Sequence, residues 1–263
     1  MSASVRIETA AGVATITLDR PAALNALDES TKVALRDGLA AVAEARDVRA
    51  VVLTGSGRAF CVGQDLREHA ENLRDRPLAQ VWSTVEDHYS PIARSLLTMP
   101  KPVIAAVNGV AAGAGASIAF ACDLRLVADT AGFNLTFAAI GLSCDTGCSW
   151  TLPRLVGQAK ARELLLLPTT IDAPTAHALG LATRVVPAAE LASEAAALAS
   201  VLANGATMAY AALKSALDFA ATHTLDDSLA HEAGLMAATG GSADHRNAVA
   251  SFLAKKGPVF TGD

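Results

Sequence analysis

The sequence predicts an α/β protein, a core of repeated strand–strand–helix units followed by a purely helical C-terminal region. Three observations carry that expectation. Short apolar or alternating runs of strand length recur as Val5–Thr9, Val13–Leu18, Ala50–Thr54, Pro102–Val107 and Leu124–Ala128. Two of them lead into loops of small residues that open helices. From Ala188 onward no strand pattern remains, and helical spacing dominates through Leu191–Ala203, Met208–Ala221, Asp226–Ala238 and Asp244–Lys255. The expected division is residues 1–195 for the core and 196–263 for the helical region.

The elements follow in order. The first two runs meet at Ala11-Gly12 as a hairpin. Asn25 or Asp28 caps a helix reaching about Ala45, with Leu35, Leu39 and Val42 on one face. Ala50–Thr54 is unbroken and apolar, as a buried parallel strand is. The loop Gly55–Asp65 and a polar, weakly periodic stretch Arg67–Ser90 come next. A second unit repeats the order: strand Pro102–Val107, small-residue turn Gly109–Gly115, and a helix opening in Ala116–Cys122. Leu124–Ala128 is a strand, Ile140–Gly147 a loop, Gln158–Leu167 a helix, and Leu179–Val186 holds a short strand. The succession suggests a spiral of repeats, although periodicity alone describes a doubly wound sheet equally well.

Bulk composition narrows the function. Of 263 residues, 52% are hydrophobic, 18% charged and 4% aromatic, which suits close packing of small side chains and a subunit that hides apolar surface against copies of itself. A net charge of −5 with no Lys/Arg run argues against nucleic-acid or membrane-surface partners. Four scattered cysteines (Cys61, Cys122, Cys144, Cys148) read as reduced thiols of a cytoplasmic protein. Cys144 and Cys148 lack a second Cys/His pair, so no metal site is expected. The start carries no apolar signal core, and no stretch reaches the ~20 apolar residues of a membrane span.

Thr54–Leu66 (TGSGRAFCVGQDL) and Ala105–Asp123 (AAVNGVAAGAGASIAFACD) share one design: strand, small residues, helix. Small residues admit a ligand to the backbone, and a helix start adds unpaired N–H donors. Side by side, two such loops can aim two N–H groups at one oxygen, an oxyanion hole. GAGAS has no following Lys, so it is not a phosphate-binding P-loop, and Ser117 is not in a nucleophile elbow. Spacing alone leaves open the plainer reading that the small residues merely let a helix pack on a sheet.

Together with Leu18–Asp28 (LDRPAALNALD) and Ala139–Gly157 (AIGLSCDTGCSWTLPRLVG), these loops resemble the crotonase (enoyl-CoA hydratase/isomerase) superfamily, nearly end to end. The resemblance implies a ClpP-like spiral of ββα units and a C-terminal helical region that packs in homotrimers, often paired into hexamers. It implies an acyl-CoA substrate and no cofactor beyond the coenzyme A that the substrate carries. By position, the N–H groups of Val62 and Ala114 form the oxyanion hole, each donor typically worth ~3 kcal/mol in the transition state. A thioester carbonyl delocalises little onto sulfur, so its α-proton is removable once the oxygen is held. The resemblance also puts Ala22, Leu24, Arg58, Gln64, Asp65 and Leu66 around the nucleotide, and Gly113 and Phe137 on the substrate. Lys256 and Phe260 reach the CoA of the same or a neighbouring subunit, unless Lys255-Lys256 only complements its helix dipole.

Hydratases of the superfamily place water with two glutamates, and at those positions this chain has Ser117 and Phe137. Asp145 instead falls where several isomerases carry their catalytic Asp. With GQDL and SWTLPRLVG it most resembles the phenylacetate-pathway 2-(1,2-epoxy-1,2-dihydrophenyl)acetyl-CoA isomerases, which act on ring-derived CoA esters. An apolar setting near Cys144 and Trp150 is expected to raise the Asp145 pKa and suit it to proton transfer; the alternative is a loop Asp capping a turn. Trp150 is expected in the core, and His69, His88 and Tyr89 on a solvated helix face unless one serves as a second acid. Asp65 and Asp123 are expected to hold loops, and Arg125 and Arg154 to pair with acids or meet substrate. Double-bond isomerisation through Asp145 is the favoured chemistry, with hydration lacking the glutamate pair and silent CoA-ester binding as alternatives.

Overall fold

The computed structural model describes residues 3–263. Strands β1 (Val5–Ala10) and β2 (Val13–Leu18) pair antiparallel across Ala11 and Gly12, both at positive φ (48° and 78°), as a right-twisted two-residue hairpin requires. Asp28, not Asn25, caps α1 (Glu29–Glu44) by accepting from Thr31 N at 2.8 Å. Leu35, Leu39 and Val42 bury its inner face.

The chain then alternates between two sheets. Strand β3 (Ala50–Gly55) joins a large sheet and β4 (Ala59–Cys61) a small one, and α2 (Leu66–Asp75), α3 (Leu78–Trp82) and α4 (Ser90–Thr98) follow. The next turn repeats this with β5 (Val103–Val107), β6 (Val110–Ala112) and α5 (Ala114–Ala121). A third has β7 (Leu124–Ala128), β8 (Gly132–Asn134), α6 (Cys148–Val156) and α7 (Gln158–Leu166), and β9 (Ile171–Asp172), α8 (Ala173–Ala178) and β10 (Arg184–Val186) close the core. The large sheet runs β1-β2-β3-β5-β7-β10 and the small one β4-β6-β8-β9. Consecutive strands feeding different sheets make a spiral and exclude the doubly wound alternative. The small sheet was illegible because its strands have two or three residues inside segments that read as loop or turn.

The stretch 67–90 is more ordered than its polarity suggested. It forms α2, α3 and a π-helical turn (Val85–Tyr89), and that wider turn buries Tyr89 to 2% exposure. Tyr89 was expected on a solvated face, so this is a correction. The expected boundary at 195/196 falls inside α9 (Leu191–Ala203), whose Leu191, Ala195, Ala199 and Ala203 recur every four residues and pack on β3, β5 and β7. Beyond it, α10 (Thr207–Ala220) buries no residue, α11 (Leu225–Gly240) only Ser228 and α12 (Ala243–Leu253) only Asp244. Buried Asp244 accepts from Thr261 N at 2.7 Å and Gly262 N at 3.0 Å, and Arg49, just before β3, donates to Phe260 O at 3.0 Å.

Candidate active site

Both small-residue loops leave the carboxyl ends of parallel strands, and two asparagines rivet the first one. Asn25 is buried at φ 57°; its amide donates to Ser56 O at 2.9 Å and Ala59 O at 2.8 Å. Asn108 donates to Gly57 O at 2.9 Å and accepts from Gly55 N at 3.2 Å. Arg20 ties the start of α1 to the loop end, bridging Asp28 and Asp65 at 3.1 Å each. Asn25→Ala strands the Ser56 carbonyl and leaves Arg20 N without the Asn25 Oδ1 it donates to at 2.9 Å, and is expected to cost about 2 kcal/mol in urea unfolding; an unchanged midpoint would contradict that role.

Val62 follows β4 directly, and Ala114 is the first residue of α5. Neither backbone N–H donates to an acceptor among the described residues. The following loop is pinned by Leu27 N to Gly63 O at 2.8 Å and Asp65 N to Leu27 O at 3.1 Å. Gly63, at φ +82°, brings the two segments together: a Cβ there would lie 3.2 Å from Ala114 N and 2.9 Å from Ala112 O. Gly115 packs so closely that a Cβ would overlap the Cys61 carbonyl. The backbone thus sets two unspent donors on adjoining segments, the second at a helix N-terminus that favours negative charge.

Asp145 precedes α6 in a tight turn, with Thr146 (φ 53°) and Gly147 (φ 74°) both left-handed. Burial raises its carboxyl above the usual range, opposed by the Thr146 hydroxyl, which donates at 2.8 Å, and by the more distant Lys32 charge. No cation lies within ion-pair distance of it among the described residues. Its charge acts on Tyr89, whose hydroxyl donates to Gln64 Oε1 at 2.7 Å, two residues beyond Val62. On the other side Ser117 of α5 bears on the Cys148 thiol, which burial pushes up to about 12. The turn that carries Asp145 leads directly into α6, which packs on α5.

Ser117 is fully buried, its hydroxyl donating to Gly113 O at 3.2 Å, and Phe137 is buried at the start of a short 3-10 turn (Ala138–Ile140). Ala22 and Leu24 lie in and after the 3-10 turn Pro21–Ala23, where Pro21 packs on Gly57 beside exposed Arg58. Gln64, Asp65 and exposed Leu66 continue that rim. Asp65 does hold its loop, capping α2 and pairing with Arg20. Asp123 likewise takes Val103 N at 2.7 Å and Lys214 at 2.7 Å. Gly113 donates its N–H to Asn134 O at 2.9 Å.

Other placements differ from expectation. Phe260 lies by Arg49, at the amino end of β3, roughly a 20 Å strand length from the loops at its carboxyl end. The Phe260 carbonyl of this chain is therefore held at the end of β3 opposite its own loops. Trp150 is 38% exposed rather than in the core; one helical turn on, Arg154 stacks over its ring at 3.3 Å. Arg125 is buried but donates to the Leu181 and Cys122 carbonyls rather than to an acid. Sequence reasoning missed Arg20, Asn108 and Lys32. Lys32 had a signal: it lies three and seven positions before Leu35 and Leu39, on the buried face of α1.

Among the described residues no cluster suits a metal ion, and no helix is by itself long and apolar enough to cross a membrane. Residues 8–263 match the family described as enoyl-CoA hydratase/isomerase. The chain is 41% identical over 251 residues to a 1,2-epoxyphenylacetyl-CoA isomerase of Escherichia coli (strain K12), covering 95% of each. It is 42% identical over 261 residues to a "Probable enoyl-CoA hydratase" of Rhodobacter capsulatus, covering 98% of each. An enoyl-CoA hydratase structure from Polaromonas superposes with a TM-score of 0.89 at 34% identity, covering 98% of this chain and 99% of that one. By motif, fold and overall likeness, this chain is an enzyme of the enoyl-CoA hydratase/isomerase (crotonase) family.

Proposed function

We propose that the enzyme shifts a double bond within an acyl-CoA thioester. The thioester oxygen accepts from Val62 N–H and Ala114 N–H. Asp145 as carboxylate removes a proton from carbon, and the C–H electron pair moves to the carbonyl oxygen as an enolate. The protonated Asp145 then returns the proton at another carbon, so nothing is oxidised and nothing is lost. What supports the reading is an Asp145 carboxyl group that is half-buried, with no cation within ion-pair distance among the described residues, together with two backbone donors that bond no acceptor. Buried Ser117 and Phe137 leave the two glutamate positions without a base for water. The likeness to a named epoxyphenylacetyl-CoA isomerase supports a ring-derived acyl group.

The test is mass spectrometry of enoyl-CoA esters incubated with enzyme in deuterated water. Wash-in of deuterium without added mass of water is the expected result. A gain of one water would make the enzyme a hydratase, and tight binding without exchange a silent binder.

Homotrimers, or hexamers as dimers of trimers, are the proposed assembly. Leu213, Leu217, Leu229, Met236 and Phe252 of the C-terminal helices are exposed in the single chain, an apolar surface that a second copy would cover. In such an assembly Lys256 and Phe260 serve a neighbour's CoA. Phe252→Asp is expected to lower the mass seen in sedimentation; an unchanged mass would remove that helix from the interface. Ala22, Leu24, Arg58, Gln64, Asp65, Leu66, Gly113 and Phe137 complete the proposed contacts. The four free cysteines suit a reducing cytoplasm.

A further inference from the structure

Behind Gln64, between α1, α2 and α3, lies a cavity of about 90 Å³ whose lining is polar except for Val81. Its innermost group is Lys32, only 3% exposed. The ammonium donates to Thr84 Oγ1 at 2.7 Å and Gln64 Oε1 at 3.1 Å, and sits 5.4 Å from the centre of the Tyr89 ring. An ammonium has three hydrogens, and these two neutral acceptors take two of them.

Three of the nearby acids are committed elsewhere. Glu29 pairs with Arg76 at 3.2 Å, Glu68 accepts from Glu29 N at 3.0 and 3.1 Å, and Asp28 holds Arg20 and Thr31. Lys32 thus has no carboxylate within ion-pair distance among the described residues, a costly arrangement for a buried cation. Burial accordingly pushes its pKa down, the distant acids only partly opposing this.

The cavity is lined by Gln64, two residues beyond Val62. Gln64 and Tyr89 belong to the same hydrogen-bonded set, and the Lys32 charge is felt at Asp145. A hydrocarbon tail entering this space would strand the polar lining. A carboxylate would meet Glu29 and Asp87, which also face it, and Arg76, the other permanent cation of the lining, already pairs with Glu29. A neutral oxygen avoids both costs and takes the third ammonium hydrogen.

We propose that this cavity is a distal acyl subsite for acyl groups bearing a neutral, hydrogen-bond-accepting oxygen, and that Lys32 is the residue that selects them. The inference rests on the Val62–Ala114 reading for where the thioester sits, but its test needs no turnover. Calorimetry measures binding of 4-hydroxybutanoyl-, 5-hydroxypentanoyl- and 6-hydroxyhexanoyl-CoA against pentanoyl-, hexanoyl- and heptanoyl-CoA, each pair differing by OH for CH3. At one chain length the hydroxy ester binds the wild-type protein about 10-fold tighter or more, the scale of a hydrogen bond to a charged group. Lys32→Met removes most of that preference, and Lys32→Arg restores part of it.

A wild-type protein that binds every alkyl ester as well as or better than its hydroxy partner overturns the proposal, whether or not the variants fold. So does a Lys32→Met protein that weakens both members of a pair equally, or adipyl-CoA binding tighter than any hydroxy ester. If deuterium exchange fails while the hydroxy preference and its loss in Lys32→Met hold, the isomerase reading falls and the subsite stands.

Discussion

Asp145→Asn abolishes double-bond migration and deuterium wash-in, with turnover falling ~10²–10⁴-fold, the usual worth of a positioned acid–base group. Binding of saturated acyl-CoA survives, because the thioester rests on backbone N–H groups that the substitution does not touch. In the wild type kcat/KM depends on the ionised carboxylate, so activity falls as pH drops through the folded-state pKa. Burial raises that pKa, so the acid limb lies above the ordinary carboxylate range, and Asp145→Asn erases it.

Stability moves the other way. A carboxyl whose pKa is raised by folding favours the native state while protonated. That advantage is lost as pH rises from the unfolded-state pKa through the folded one, and at neutral pH the buried charge is a cost. Asp145→Asn is therefore expected to melt at or above the wild-type temperature at neutral pH, and to lose this margin in acid. Retained turnover, or a clear fall in melting temperature at pH 7, would mark Asp145 as a structural cap instead.

The second large effect is expected from Ala114→Pro, which deletes one N–H while keeping a helix start. Proline suits the first helical position, where no intrahelical bond is lost. Gly113 has ψ −124°, outside the α region that a following proline disfavours. Ser117 N still bonds Gly113 O. Circular dichroism should stay native, while kcat falls ~10²–10³-fold, the measured scale for one oxyanion donor. Near-normal turnover with the helix intact would mean that Ala114 N–H does not meet the reacting oxygen.

Much of this was legible along the chain. The hairpin at Ala11-Gly12, the buried strands Ala50–Gly55 and Val103–Val107, and the α1 stripe of Leu35, Leu39 and Val42 depend on local period and turn chemistry. The two loops were visible for the same reason: close backbone approach admits only small residues, and Gly63 and Gly115 mark those approaches. Asp145 stood out through the family resemblance, as a carboxylate in a chain whose two hydratase glutamate positions hold Ser117 and Phe137.

Other features needed the folded chain. Tyr89 read as solvated and Lys32 went unmarked because charge and polarity are averaged over a stretch, whereas burial is set by what packs above it. Trp150 reads as core by size alone, yet its face of α6 points to solvent. The small sheet exists only because spiral winding stacks β4, β6 and β8, none long enough to signal itself.

The sequence by itself determined the class of fold and the two small-residue loops, because these rest on backbone geometry that glycine, alanine and strand periodicity encode within a few residues; Asp145 was reached through the family resemblance. Only the tertiary structure decided that Val62 and Ala114 keep their N–H groups unspent, that Lys32 is buried without a counterion, and that the Phe260 carbonyl is held at the end of β3 opposite its own loops. Each of those depends on groups distant in the chain, and hydrogen-bond satisfaction and desolvation are properties of the assembled neighbourhood.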